Sequence, residues 1–215
     1  MKNLTARNIH FCKFITAMFF VAAITSSCKQ QTSPTNTIAL NESMMTNEPL
    51  TCELLTDFTN ASDNENWRRV NDNVMGGRSK GDMEFKDNTM VYAGFINTNG
   101  GGFSSIRYGL NKNQLVGFKT LKLRVRTTDS HLKYRVLFED ENRSSINYNN
   151  TIPLEKTTEW QEVTLNLSDF KPSRYGNELS RPVFQNENAT AIGFIISHKN
   201  DSNFKIEVDW MKLCN

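Results

Sequence analysis

The chain has 215 residues, of which 38% are hydrophobic and 22% are charged. Its 14 Phe and 3 Trp are enough apolar side chains for a core, which excludes a wholly disordered protein. The formal net charge is only +2, whereas a nucleic-acid-binding protein is normally clearly basic. We therefore expect one globular domain, with no nucleic acid among its partners.

The first 28 residues have the composition of an export signal. They contain no acidic residue, and their apolar run, 14–24, is interrupted only by Thr16. Three basic residues accompany it: Lys2, Arg7 and Lys13. A basic segment followed by a short apolar one is typical of a signal peptide, and the run is shorter than the roughly 20 residues that span a bilayer. We predict that residues 1–28 form a signal peptide.

Cys28 ends this segment in a sequence that resembles a bacterial lipobox, Ile-Thr-Ser-Ser-Cys. Lipidation at Cys28 would supply several acyl chains, which is enough for stable anchoring. We expect a protein of the bacterial cell envelope anchored by this lipid, in the outer membrane rather than the inner one; the alternative is simple cleavage and secretion. Residues 29–50 are rich in Gln, Thr, Ser, Asn and Pro and are predicted to be a flexible tether.

Removal of residues 1–28 also changes the charge. The remaining chain has 22 basic and 23 acidic residues, so its formal net charge is −1.

From residue 51 onward, apolar residues recur at every second position, which is the period of a half-buried strand. Four segments show the pattern, with these apolar faces: Leu121, Leu123 and Val125; Tyr134, Val136 and Phe138; Val163, Leu165 and Leu167; Phe204, Ile206, Val208 and Trp210. A fifth segment, 191–197, is apolar on both faces and is predicted to be a central strand.

Polar clusters between these segments predict turns at 140–142, 147–150, 172–173 and 200–203. No segment of eleven or more residues keeps a helical spacing, and no repeat of 20–50 residues is visible. Many short strands with polar turns indicate an all-β domain over residues 51–215, a β-sandwich of jelly-roll type.

Two cysteines bracket the predicted domain. Cys52 precedes the first strand and Cys214 follows the last. In an oxidising compartment they are expected to form a disulfide, worth up to about 5 kcal/mol in the chain-entropy model. The alternative is two free buried thiols.

Two glycine motifs concentrate the unusual residues, at 67–79 and 99–107. They fit neither of the common phosphate-binding spacings, so their glycines indicate tight bends or close backbone approach. The candidate binding residues are Trp67, Arg69, Asn71, Asp72, Met75, Gly76, Gly77, Arg78, Ser79, Gly101, Gly102, Phe103, Ser105 and Arg107. Aromatic, amide and charged groups together suit a sugar or peptide surface. The alternative is structural: Trp67, Met75 and Phe103 belong to the core, and Arg107 pairs with Asp72.

These motifs, NDNVMGGRS and GGFSSIR, resemble the paired signatures of the complex I intermediate-associated protein 30 family. The order of LLTDF, YAGFI, EWQEVTLNLSDFKP and FKIEVDWMKL around them is also similar, and the resemblance covers about residues 53–213. This chain has Asp72-Asn73 where the family usually has Asp-Gly, a mild change because Asn tolerates a left-handed turn.

The resemblance implies a galactose-binding-domain-like jelly roll, the sandwich that many carbohydrate-binding modules also use. It further implies a role by binding, since the mitochondrial members are assembly factors for respiratory complex I. An envelope protein would lie in a different compartment, so the fold transfers more readily than the role. We expect a non-catalytic domain that binds a protein or a glycan of the envelope.

An enzyme is the alternative: an envelope carbohydrate-active hydrolase or lyase with an acidic catalytic pair that its spacing does not reveal. The sequence has no HExxH motif, and His131 and His198 lie in polar turn segments. No cofactor is expected apart from a candidate structural Ca²⁺ held by Asp57 and Asp209, which stand near the first and last strands. The alternative for this pair is two ordinary outward-facing carboxylates.

Overall fold

The computed structural model describes residues 50–143, 145–155 and 158–215. The predicted signal peptide, with Cys28, and the predicted tether up to residue 49 lie outside the described residues. Among these described residues, the helical segments are all too short to span a bilayer.

The described chain is built almost entirely of strands. In chain order they are β1 (Cys52–Thr56), β2 (Trp67–Asn71), β3 (Lys80–Lys86), β4 (Thr89–Ile96), β5 (Phe103–Gly109), β6 (Thr120–Thr127), β7 (Tyr134–Asp140), β8 (Asn147–Thr151), β9 (Gln161–Asn166), β10 (Lys171–Arg174), β11 (Asn177–Glu178), β12 (Ala189–Ser197) and β13 (Ser202–Cys214). One short helix, α1 (Ala61–Glu65), and three 3₁₀ turns, at Asp72–Met75, Leu167–Asp169 and Asn186–Asn188, join them.

The strands form two antiparallel sheets. The six-stranded sheet has the order β3-β4-β13-β6-β9, with β1 paired to the C-terminal half of β13. The seven-stranded sheet has the order β11-β10-β8-β7-β12-β5-β2. The predicted all-β sandwich is confirmed, and so is the central position of β12, which pairs with β5 on one side and β7 on the other.

The core lies between the sheets, where the alternating apolar side chains predict it. Leu121, Leu123 and Val125 of β6 are fully buried, and an aromatic group around Phe138 includes Phe170 at 4.7 Å between ring centroids. Burial of such side chains supplies most of the stabilisation, at roughly 1.5–3 kcal/mol each.

Two details of the strand prediction are wrong. A β-bulge between Val208 and Trp210 reverses the alternation in β13, so that Met211 faces the core and Trp210 stays partly exposed beside Lys212. The polar segments 147–150 and 172–173, which we predicted to be turns, belong to β8 and β10. They form strands because Tyr148 and Pro172, which are register partners, both face the core.

The first and last strands are joined covalently. Cys52 and Cys214 are register partners in β1 and β13 and form the predicted disulfide, with a Cα–Cα distance of 4.1 Å. Beyond it, Asn215 and Thr51 exchange two further hydrogen bonds, so both ends of the domain are tied together.

Candidate functional site

The buried carboxylate of Asp72 joins the two glycine motifs. Its Oδ1 accepts the Ser79 amide at 2.9 Å, and its Oδ2 accepts the Ser79 hydroxyl and the Gly102 amide, each at 2.6 Å. The Phe103 amide adds a fourth contact at 3.3 Å. Burial alone would raise the pKa of Asp72, but these hydrogen bonds outweigh it and hold the pKa below its usual value. The charge is therefore stabilised by donors that belong to the motifs themselves.

The glycines are explained by this carboxylate. A Cβ at Gly77 would lie 2.3 Å from Asp72 Cγ, and one at Gly101 would lie 2.1 Å from Asp72 Oδ2. Gly76 and Gly102 have φ values of 87° and 131°, in the region that glycine favours. Contact with Asp72 explains Gly77 and Gly101, and the positive φ explains Gly76 and Gly102. No bound ligand is needed to explain these glycines.

Asn71 extends the network from one sheet to the other. Its side-chain amide exchanges two hydrogen bonds with the backbone of Gly81 in β3, at 3.1 and 3.2 Å. Its Oδ1 also accepts the Ser104 hydroxyl at 2.6 Å, and Ser104 accepts the hydroxyl of Tyr92 at 2.7 Å. Asn71 and Ser104 lie in the seven-stranded sheet, and Gly81 and Tyr92 lie in the six-stranded sheet. This network therefore links the two sheets by hydrogen bonds.

Arg107 does not pair with Asp72, so that sequence-based expectation is wrong. Arg107 lies on the outer face of the seven-stranded sheet, and its guanidinium reaches across β12 to the carboxylate of Glu139. Its Nη1 donates to Ser105 Oγ at 2.6 Å, and Arg68 contacts the same Glu139. Although only 5% of Arg107 is exposed, its charge is balanced by this pair.

The other candidate residues divide by exposure. Trp67 packs in the core, with its ring centroid 5.4 Å from that of Tyr108. Arg69 pairs with Asp82 at the surface, at 2.7 Å. Met75 is 58% exposed, and Gly76 and Arg78 are exposed too. The buried members thus have structural contacts, while a binding role for the exposed ones stays a prediction.

The two aspartates proposed for calcium have other partners. Asp57 accepts the amide and the hydroxyl of Thr59, at 3.1 and 2.6 Å, and these bonds lower its pKa. Asp209 pairs with Arg124 at 2.5 Å. The described residues contain no group of three or more His, Cys, Asp or Glu that could hold a metal ion. Both carboxylates thus have protein partners, and a calcium site at Asp57 and Asp209 stays a prediction.

A different surface offers a cavity. It lies on the outer face of the seven-stranded sheet and has a volume of about 350 Å³. Polar side chains from five strands and the turns beside them form its walls, among them Arg135, Asn149, Lys171, Ser173, Glu178 and Ser197. Such a volume falls within the roughly 300–1,000 Å³ usual for ligand sites. We call this surface the groove.

The floor of the groove contains unmatched hydrogen-bonding groups. Arg135 donates to Ser197 Oγ at 2.6 Å, but its Nε is buried without a partner. Asn149 donates to Ser173 Oγ at 2.5 Å, and its Oδ1 is also buried and unpaired. Burial lowers the pKa of Arg135. Buried groups of this kind are uncommon in native proteins and call for an explanation.

An exposed aromatic residue, Tyr175, directly precedes Gly176, which lines the groove. The hairpin between β10 and β11 turns at Tyr175-Gly176, where φ is 49° and 80°, a type I′ geometry. A bulky residue with positive φ is rare. The Tyr175 side chain is 71% exposed, and the guanidinium of Arg174 lies 5.3 Å from the centroid of its ring. Gly176 lines the groove.

The groove is not evident from the sequence, because two of its strands, β8 and β10, have the polar composition that is typical of turns. Asn149, Lys171 and Ser173 come from those strands. The sequence does contain one indication of the β8 strand. Ile146, Tyr148 and Ile152 are separated by even numbers of positions, so their side chains would share one face of a strand.

Solved structures define the class of the fold as a jelly-roll β-sandwich. The chain is similar to the family 11 carbohydrate-binding module of the cellulosomal cellulase Lic26A-Cel5E of Clostridium thermocellum, with a TM-score of 0.55, 14% identity, and coverage of 76% of this chain and 94% of that one. A family 11 module from Clostridium thermocellum in complex with a β-1,3-1,4-mixed-linked tetrasaccharide gives a TM-score of 0.53 at 13% identity, covering 75% and 94%. The agarase AgWH50C gives 0.51 at 11% identity, covering 75% of this chain but only 24% of the agarase.

The family follows from the sequence itself. Residues 56–208 match the model of the Complex I intermediate-associated protein 30 family, and the chain belongs to that family. No curated protein matches it.

Proposed function

We propose that this domain is a non-catalytic glycan-binding module of the cell envelope and that the groove is its binding surface. The observation that carries the proposal is the 350 Å³ cavity on the seven-stranded sheet, whose walls are polar side chains on a rigid sheet. Sugars present many hydroxyl groups, which Asn and Ser side chains can both donate to and accept from. The exposed ring of Tyr175 would add an apolar contact at the edge.

Similarity of fold also supports a glycan over a protein as the partner. Two of the similar structures are carbohydrate-binding modules, and one of those is in complex with a tetrasaccharide. A protein partner would be expected to use an exposed apolar patch. Among the exposed large apolar residues of the described chain, only Val74 and Met75 are neighbours in sequence, and two such residues are few for a protein interface.

Oligosaccharide titration of the full-length chain tests the proposal. Asn149→Ala and Tyr175→Ala should each weaken glycan binding several-fold while the melting temperature stays close to that of the parent. Val74 is as exposed as Tyr175 but lies in the first glycine motif. Val74→Ala is therefore the matched control and should bind glycan like the parent. Binding that is lost in Val74→Ala and kept in the groove variants would overturn the assignment of the surface.

One observation favours an enzyme as the second candidate: Asp169 and Glu178 both line the groove. Two carboxylates at a suitable separation could hydrolyse a glycosidic bond. Incubation with each oligosaccharide that binds should release no new reducing ends. Release that is abolished in Asp169→Asn or Glu178→Gln would establish a hydrolase and refute the binding-only role.

The envelope location rests on Cys28 alone. If Cys28 is lipidated, Cys28→Ser should move the protein from the membrane to the soluble fraction and change the mass of the mature chain. An unchanged mass and fractionation would refute the anchor but leave glycan binding untouched.

A further inference from the structure

The groove and the cavity beside it carry more cations than anions. A second cavity of about 500 Å³ adjoins it and shares Lys133 and Ser197 with it. The two cavities together are lined by four basic side chains, Lys133, Arg135, Lys171 and Lys199, and by two acidic ones, Asp169 and Glu178. The described part of the domain is close to neutral, so the excess of cations is local to this surface.

Arg135 stands out among the arginines of the domain. Five arginines of the described residues are buried or partly buried, and four of them pair with a carboxylate: Arg107, Arg124, Arg126 and Arg143. Arg135 is the fifth, and none of the described residues places a carboxylate within 4.0 Å of it. Removing a cation from water without a counterion costs free energy, so the presence of a partly buried, unpaired Arg135 calls for an explanation.

We propose that the glycan bound in the groove is acidic, with a sugar carboxylate lying against Arg135 between Lys133 and Lys171. This inference rests on the glycan-binding function proposed above and adds the chemical class of the ligand. A planar guanidinium matches the geometry of a carboxylate, and Ser197 already holds one edge of Arg135 in place.

The neighbouring groups fit the rest of such a sugar. Asn149 and Ser173 stand beside the cations and suit the hydroxyls of a uronic acid. Asp169 and Glu178 limit how much negative charge the groove accepts, which favours one carboxylate per sugar unit over a densely sulfated chain.

Titration calorimetry on the full-length chain tests the ligand class. The probes are oligomers of galacturonate, glucuronate and mannuronate, each beside its methyl ester, with a sulfated oligosaccharide and the neutral mixed-linked tetrasaccharide for comparison. At least one uronate should bind roughly tenfold or more tightly than its ester, because a charge-assisted hydrogen bond is lost on esterification. The advantage should shrink as salt is added.

Variants locate the contact. Arg135→Gln should remove the preference for acid over ester, and Arg135→Lys should restore only part of it. Lys171→Gln, at an exposed position, should reduce the preference without affecting folding, which keeps the test valid if Arg135→Gln is unstable. Lys86→Gln, an exposed lysine of β3 in the other sheet, is the matched control and should leave the preference unchanged.

The outcomes separate the two proposals. Equal binding of every acid and its ester, tighter binding of the neutral tetrasaccharide, or a preference for the sulfated probe alone would overturn the acidic-sugar inference and leave glycan binding standing. A uronate preference that survives in Arg135→Gln and in Lys171→Gln would overturn the placement of the carboxylate. Absence of binding to any probe, acidic or neutral, would overturn both proposals.

Discussion

Asp72 and Gly102, thirty residues apart in sequence, meet at 2.6 Å through a carboxylate oxygen and a backbone amide. Asp72 lies in the first glycine motif and Gly102 in the second, so one hydrogen bond links the two motifs. The link explains why the motifs occur together. One supplies a buried negative charge, and the other supplies amide donors that make its burial tolerable.

Asp72→Asn should therefore destabilise the domain strongly. The variant keeps the shape but loses the charge, and its NH₂ group would face amide and hydroxyl donors. Hydrogen bonds to a charged group contribute roughly 1.5–3 kcal/mol each, so we expect the free energy of unfolding to fall by about 2–4 kcal/mol in urea titrations. Asp201→Asn is the control, because Asp201 also accepts two bonds, from Thr98, but is exposed. Equal losses in both variants would contradict a special role for burial.

Acid should remove the contribution of Asp72. Its pKa in the folded state is below the usual 3.8, so the folded state binds this proton less readily than the unfolded state. The stabilisation is complete above about pH 4 and is lost as the pH falls through the folded-state value. The difference in unfolding free energy between the parent and Asp72→Asn should narrow across that range. A difference that stays constant down to pH 2 would show that the charge of Asp72 contributes nothing.

Gly77→Ala should also be damaging, since its Cβ would lie 2.3 Å from Asp72 Cγ. The carboxylate would have to leave its donors, and the expected loss is about 1–3 kcal/mol in unfolding free energy. The neighbouring Gly76→Asn is the control, because no atom lies within 4 Å of a Cβ there and Asn tolerates a positive φ. If Gly76→Asn proves as harmful as Gly77→Ala, backbone strain rather than contact with Asp72 governs this motif.

The sequence was sufficient to predict the sandwich, because alternation of apolar residues is a local signal that burial enforces. It predicted the buried face of β6, formed by Leu121, Leu123 and Val125, and the central position of β12. It failed at β8 and β10, where Asn147–Thr151 and Lys171–Arg174 are polar on the face that borders the groove. A strand with few apolar side chains looks like a turn when read alone, and only its pairing partners reveal it.

The candidate site was harder to predict than the fold, since it depends on which strands are neighbours. Arg135 and Lys171 are 36 positions apart in sequence and meet in the groove because β8 lies between β7 and β10. The glycine motifs attracted attention for their unusual composition, which reflects the packing around Asp72. The unusual glycine-rich segments thus serve to pack the chain around Asp72, whereas ordinary polar residues line the groove.

The ion pair between buried Arg107 and partly exposed Glu139 should contribute strongly to stability. Glu139→Gln would leave the buried guanidinium of Arg107 without a counterion, and such losses typically cost about 3–5 kcal/mol. Unfolding by urea measures it. The surface pair of Arg69 and Asp82 provides the control, because Asp82→Asn should cost less than about 1 kcal/mol. A double variant, Arg107→Met with Glu139→Gln, should recover part of the loss; no recovery would show that the two side chains act independently.

The disulfide between Cys52 and Cys214 should stabilise the domain without being needed to form it. The pair closes a loop with a sequence separation of 162, and reduction would restore the entropy of that loop to the unfolded chain. We expect reduction, or the double variant Cys52→Ala with Cys214→Ala, to lower the free energy of unfolding by about 2–5 kcal/mol. The β1–β13 ladder would hold the register in the folded state, so the circular dichroism spectrum should not change. Labelling of the native, unreduced chain with a thiol reagent provides the check: modification at either cysteine would show that the bond is absent.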